Sequence, residues 1–139
     1  MSQTDDRPSA TGRCLCGAVA YELHGPLRAV VNCHCGQCRR THGHVAAYTN
    51  LPREKLSLTK ARGLKWYASS ATARRGFCSE CGASLFWDRL ESDAISVAAG
   101  TLDEPSGLTT AAEIFVADKG DYYELAGGLK TYPGSMSAG

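Results

Sequence analysis

Seven cysteines in three tight clusters constrain this chain more than any other feature: Cys14-x-Cys16, Cys33-x-Cys35-x-x-Cys38 and Cys78-x-x-Cys81. A Cys-x-Cys or Cys-x-x-Cys pair sets two sulfurs within reach of one metal ion, and zinc in a tetrahedron of thiolates is the ordinary outcome. The fold must therefore bring pairs far apart in sequence to a common point. Four plus three is a natural division. Four thiolates close a structural site, whereas three leave one position open for chemistry.

Disulfides explain the pattern less well. Seven is odd, so three bridges leave a thiol over, and a reducing compartment disfavours such bridges. Met1 to Gly12 is polar and lacks the apolar core of a secretory signal, and no apolar run approaches the roughly 20 residues of a membrane span. A cytoplasmic protein is expected. Fifteen basic and 14 acidic residues give a formal net charge of +1. That balance argues against a nucleic acid or an anionic membrane as partner.

At 139 residues and 43% hydrophobic, the chain suits one globular domain. Val19, Tyr21 and Leu23 alternate with polar or small neighbours, as a half-buried strand does. Residues 28–32 form a short apolar run into Cys33, and further short strands are expected at 45–49, 55–59, 64–67, 74–77, 84–87, 94–98 and 113–117. Asn50-Leu51-Pro52 reads as a strand breaker, Leu56 and Leu58 as inward-facing, and 100–107 as a loop. The segment after Cys38 reads as one helical turn or a loop. Many short strands, frequent Gly turns and no long helical period predict an all-β domain. Its boundaries are placed at about 11–125, with a disordered tail over 1–10 and a second tail over 126–139.

Two pairings of the cysteines are open. In one, Cys14 and Cys16 share a metal with Cys78 and Cys81, and Gly82 lets the chain turn tightly behind the second pair. Cys33, Cys35 and Cys38 then wrap three corners of another site, with water, substrate or one of His34, His42 and His44 at the fourth. In the other, part of the middle cluster joins Cys78 and Cys81. Zinc held by three thiolates carries one net negative charge and is a weak Lewis acid. It still suits binding a substrate thiol and stabilising its thiolate as a nucleophile toward a small carbonyl compound. Arg39 and Arg40 are placed to offset that charge or to hold a substrate carboxylate. Glu80, Asp88 and the histidines are the candidates for acid–base work.

The segments Gly12-Arg13-Cys14-Leu15-Cys16-Gly17, Asn32-Cys33-His34-Cys35-Gly36-Gln37-Cys38-Arg39-Arg40, Arg75-Gly76-Phe77-Cys78-Ser79-Glu80-Cys81-Gly82 and Gly100-Thr101-Leu102-Asp103 occur in that order. In this the chain resembles the glutathione-dependent formaldehyde-activating (GFA) family of small zinc proteins. The resemblance implies a β-tent fold of short antiparallel sheets around a four-cysteine zinc site. It implies two zinc ions per chain: a structural one on Cys14, Cys16, Cys78 and Cys81, and a catalytic one on Cys33, Cys35 and Cys38. It also implies carbon–sulfur lyase chemistry, the reversible joining of glutathione and formaldehyde into S-hydroxymethylglutathione. Partners would be a small thiol and a small aldehyde.

Two other functions stand beside this one. A non-catalytic zinc module would use Arg74-Arg75 and Trp66-Tyr67 as a basic, aromatic binding surface. A metal-free thiol-redox or carrier protein would use Cys33, Cys35 and Cys38 as free thiols. The first has no need of the third cysteine cluster.

Overall fold

A computed structural model describes residues 7–136. The all-β expectation holds, with eleven strands and a single α-helix among the described residues. Strands β1 (Ala10–Arg13), β2 (Ala20–Leu23) and β5 (Leu56–Lys60) form a three-stranded antiparallel sheet in the order β1-β2-β5. The larger sheet has eight strands. They are β3 (Val30–Cys33), β4 (Ala46–Pro52), β6 (Leu64–Ala68), β7 (Ala73–Cys78), β8 (Ser84–Arg89), β9 (Ala94–Ala98), β10 (Thr110–Ile114) and β11 (Lys130–Thr131). Their order is β11-β10-β3-β4-β9-β8-β7-β6. Pairing is antiparallel except where β10 runs parallel to both β3 and β11.

Period-2 alternation builds the core. Val19, Tyr21 and Leu23 are fully buried, as their spacing predicts, and meet Leu85, Phe86, Ile95 and Val97 from the large sheet. Each such side chain contributes roughly 1.5–3 kcal/mol when removed from water. Cys14 and Cys78 belong to the same cluster, so the sulfurs sit at the seam between the two sheets.

Several expectations are corrected. Asn50-Leu51-Pro52 does not break β4, because Leu51 and Pro52 still pair with Ile95 and Ala94. Pro52 is tolerated as the terminal residue, where its missing N–H costs least. Leu58 lies opposite Tyr21 but is 42% exposed, because β5 is an edge strand. The strand expected over 113–117 ends at Ile114. Phe115 takes a left-handed conformation (φ +54°) and diverts the chain into a 3-10 turn at Val116–Asp118.

The segments read as tails carry structure where they are described. β1 lies partly within 1–10, and Ser9 N–H donates to Leu23 O. Residues 1–6 of that expected disordered tail, and 137–139 of the second tail, lie outside the described residues. At the other end β11 pairs with β10, and Phe115 N–H donates to Gly134 O. The helix α1 (Gly36–His42) starts inside the middle cysteine cluster rather than after it.

Candidate metal centres

Cys14 follows β1 and Cys78 ends β7, so each pair hangs from a strand end. The sulfurs of Cys14, Cys16, Cys78 and Cys81 all lie within 4.8 Å of one another. Cys14 to Cys16 is 3.8 Å and Cys16 to Cys78 is 3.7 Å. A zinc–sulfur bond of about 2.3 Å gives tetrahedron edges of about 3.8 Å, which these two edges match. They are far beyond the roughly 2.05 Å of a disulfide. Main-chain N–H groups of Val19 and Glu80 donate to the sulfurs of Cys14 and Cys78 at 3.3 and 3.4 Å, which favours thiolates. Cys81 is lowered to about 6 by the main-chain N–H groups of Cys16 and Ala83. Gly17 (φ +83°) and Gly82 (φ +82°) make the two tight turns.

Cys33 ends β3, and Cys35 is the N-cap of α1, its sulfur accepting from Cys38 N–H at 3.2 Å. With Cys38 on the first turn, three sulfurs again converge within 4.8 Å. The pairing of the middle cluster with Cys78 and Cys81 is therefore not adopted. Hydrogen bonds from the Cys33 and Cys38 thiols pull Cys35 down to about 2, and the same proximity pushes Cys33 up. The trio as a set thus favours one thiolate stabilised by its neighbours. Such a set of soft, closely spaced donors suits zinc.

Among the described residues no histidine joins either sulfur group. His34 is buried on the far side of its loop, with Nε2 2.9 Å from Glu113 Oε1 and Nδ1 2.5 Å from the Tyr123 hydroxyl. Asn32 Nδ2 donates to the same Glu113 oxygen at 3.1 Å. This network ties the cysteine loop to β10. His44 Nδ1 meets the Tyr122 hydroxyl at 2.7 Å. His42 Nε2 is 2.8 Å from the Tyr48 hydroxyl, and burial followed by nearby Arg75 lowers its pKa, leaving a neutral imidazole.

Glu80 and Asp88 are committed elsewhere. Glu80 pairs with Arg62 at 2.9 Å beside the four-cysteine group. Asp88, fully buried, takes Arg53 and also Arg74 at 2.8 Å. Arg74 lies over the Trp66 ring at 3.8 Å. Arg75, one step along β7, points to the opposite face. The two arginines therefore form no common surface, which corrects the basic patch expected of an interaction module.

Arg75 is buried and reaches the middle cluster. It donates to Gln37 Oε1 at 3.0 and 3.1 Å, to Cys38 Sγ at 3.6 Å and to the Tyr48 hydroxyl at 3.5 Å. Burial pushes Tyr48 up, so its phenol stays protonated at neutral pH. All three cysteines line a cavity of about 510 Å³, together with Tyr48, Arg75 and Trp87. Ile114 and Phe115 add an apolar wall at the end of β10. Cys14, Cys16, Cys78 and Cys81 do not reach it. Nor do Arg39 and Arg40, the expected carboxylate holders; the arginines in the wall are Arg28, Arg75 and Arg89.

Sequence reasoning missed Tyr48, Glu113 and the cavity arginines as site residues. Arg75 stood inside a quoted motif, and its place one residue from Arg74 on a strand was the available signal. Nothing local marked Glu113 or Arg28, which are brought in by strand pairing.

The sequence profile of the glutathione-dependent formaldehyde-activating enzyme family matches residues 9–118. A Schizosaccharomyces pombe protein described as an uncharacterized lyase is 28% identical over 121 residues, covering 86% of this chain and 87% of the relative. A crystal structure of a Rhodobacter sphaeroides protein aligns with a TM-score of 0.57 and 28% identity, over 72% of this chain and 97% of that one. With the sulfur geometry and a match over most of its length, this chain belongs to the glutathione-dependent formaldehyde-activating enzyme family.

Proposed function

We propose that the chain is a zinc-dependent carbon–sulfur lyase that reversibly joins a thiol such as glutathione to formaldehyde or another small aldehyde. Its reaction would be that of an S-(hydroxymethyl)glutathione synthase. In this reading Cys14, Cys16, Cys78 and Cys81 hold a structural zinc, and Cys33, Cys35 and Cys38 hold the catalytic one. One observation carries it: the three-sulfur group opens onto the 510 Å³ cavity and the four-sulfur group does not. A cytoplasmic setting, reducing enough to keep seven thiols unbridged, belongs to the same reading.

A zinc ion held by Cys33, Cys35 and Cys38 would supply the positive charge that stabilises a substrate thiol as its thiolate. The chain's own residues do the rest. Arg75 at Cys38 Sγ offsets part of the negative charge on the cysteines. Trp87, Ile114 and Phe115 shield the reacting atoms from bulk water. In the joining direction the substrate sulfur's electron pair forms the C–S bond, and the carbonyl π pair moves onto oxygen. That oxygen takes the Tyr48 proton; the proton lost from the thiol goes to solvent, and solvent returns one to Tyr48, whose hydroxyl is held by His42 Nε2. No oxidant or reductant is needed. Cleavage is the reverse, with Tyr48 taking the proton back.

The test is the rate of S-hydroxymethylglutathione formation from glutathione and isotopically labelled formaldehyde, followed by NMR exchange on protein of measured zinc content. A zinc ratio near two per chain and an exchange rate well above the uncatalysed one are expected. Loaded protein giving no acceleration with any thiol refutes the reading.

A further inference from the structure

Gln37 stands between two cysteines of the middle group, on the first turn of α1, and is an exposed residue. An exposed glutamine ordinarily turns its amide to water. Here both ends of the amide are taken by protein. Oε1 accepts from Arg75 Nε at 3.1 Å and from Arg75 Nη2 at 3.0 Å, and Nε2 donates to Ser69 O at 3.1 Å. A guanidinium only donates and a main-chain oxygen only accepts, so the network settles which end of the amide faces which partner.

The consequence falls on Arg75. That guanidinium is buried, and its partners among the described residues are an amide, a phenol and a thiol, with no carboxylate. A buried cation is normally paired with an anion. The anion left for Arg75 is a cysteine thiolate. Gln37 takes the Nε and Nη2 donors along one edge of the planar fork, which fixes the plane and directs the remaining donors. Nη2 then reaches Cys38 Sγ at 3.6 Å, and Nη1 reaches the Tyr48 hydroxyl at 3.5 Å. Burial pushes the Tyr48 phenol up, and the charge on Arg75 works against it. A glutamate at this position would give Arg75 a full counter-charge and draw its field away from both groups. The neutral amide aims the cation without neutralising it. The other end of the amide has a second task. Ser69 opens the turn between β6 and β7, whose Ser70 and Thr72 line the cavity beside Gln37 itself.

We propose that Gln37 is a positioning residue for the reaction, an uncharged clamp that aims Arg75 at Cys38 and Tyr48 and pins the 69–72 turn against the cysteine loop. This rests on the reading of the cavity as a thiol–aldehyde site. Gln37 acts through Arg75 rather than on either substrate. A clamp wanted only for stability would be served at least as well by glutamate, whose carboxylate binds the guanidinium fork more strongly. An aiming residue would not, because a fully paired cation no longer serves Cys38 and Tyr48.

Gln37→Glu in zinc-loaded protein is the deciding variant. It is expected to hold Tm while lowering kcat about tenfold or more. Affinity for S-methylglutathione, which cannot present a thiolate, should stay within about twofold of wild type. Cobalt(II) in place of zinc gives a readout without turnover. Less positive field at Cys38 Sγ raises the energy of the sulfur electrons, so the sulfur-to-cobalt charge-transfer absorption should move to longer wavelength in Gln37→Glu. Gln37→Met, which removes both polar ends, should lower kcat as well. In an Arg75→Lys background it should add no more than about twofold, since both changes disable the same arrangement. An unchanged kcat or an unmoved cobalt band in Gln37→Glu overturns the proposal. So does a Gln37→Met loss that is undiminished in the Arg75→Lys background. A fall in Tm that accounts for the activity lost in Gln37→Glu makes the residue a structural one and also overturns it. Wild-type protein with no lyase activity would sink the reaction, and the cobalt band alone would then decide on Gln37.

Discussion

Cys78→Ser and Cys35→Ser replace chemically identical groups, yet the two sites give them different weights. The four-cysteine group joins Cys16 to Cys78 across 62 positions and pins the small sheet to the large one. The middle group spans only residues 33–38. Loop closure scales as (3/2)RT ln n, so the longer link is worth about 2 kcal/mol more in chain entropy alone. Zinc sites in small peptides supply roughly 10–16 kcal/mol, or about 2.5–4 kcal/mol per ligand if shared equally among four. Cys78 is also fully buried in the seam, where a serine hydroxyl has only weak partners. A loss of about 2.5–4 kcal/mol is a large part of a domain's roughly 5–15 kcal/mol and lowers Tm by about 10–15 °C at this size. Cys35 is an N-cap, and serine is a favoured N-cap that still accepts from Cys38 N–H. Its replacement should cost about 1 kcal/mol or less in fold stability, a Tm change of a few degrees, while abolishing thiol–aldehyde chemistry. Thermal melts with zinc quantified on the same samples decide the matter. Equal Tm losses, or a larger loss for Cys35→Ser, would refute the division into a structural and a catalytic site.

Other perturbations probe the supports. Tyr48→Phe should reduce kcat by roughly 10²-fold through loss of the proton donor, while S-methylglutathione affinity holds; unchanged kcat removes Tyr48 from the reaction. Gly63→Ala should destabilise by about 1–3 kcal/mol, because the added methyl would lie 2.7 Å from Cys78 Sγ and 2.9 Å from Ala18 Cβ. A neutral melt would show that the seam can relax. Burial alone would push Glu113 up, but hydrogen bonds from His34 and Asn32 outweigh it and hold the carboxyl below the usual range. Its contribution is then complete above the unfolded value near 4.3 and fades as pH falls through the folded one. The Tm gap between wild type and Glu113→Gln should be full at pH 6–7 and narrow toward pH 4; a gap that widens on acidification contradicts the assignment.

The cysteine spacing made the division of sulfurs legible before any coordinates, because metal-ligand pairs are local in sequence. Strand alternation likewise gave the buried set Val19, Tyr21 and Leu23. Errors arose where pairing overrode local preference. Pro52 continues β4 because Ala94 lies opposite it, and Leu58 is open because its strand has one neighbour. The walls of the cavity were illegible for the same reason. Arg28, Tyr48, Arg75 and Arg89 come from separate segments, and only the register of the large sheet puts them around the sulfurs. Arg39 and Arg40 seemed better placed by proximity in sequence, but α1 turns them away.

The parallel pairing of β10 with β3 imposes an order of completion on the nascent chain. All four sulfurs of the closed group have emerged once Cys81 is made, and the strands around them are joined by antiparallel turns. The loop bearing Cys33, Cys35 and Cys38 is made earlier still, yet its rear support is not. Glu113, which clasps His34, and Tyr123, which holds the other ring nitrogen, arrive long after it. The scaffold around the four sulfurs can therefore set before the loop of Cys33, Cys35 and Cys38 is locked into shape, and truncation from the C-terminal end would loosen the three-sulfur group while sparing the four-sulfur one.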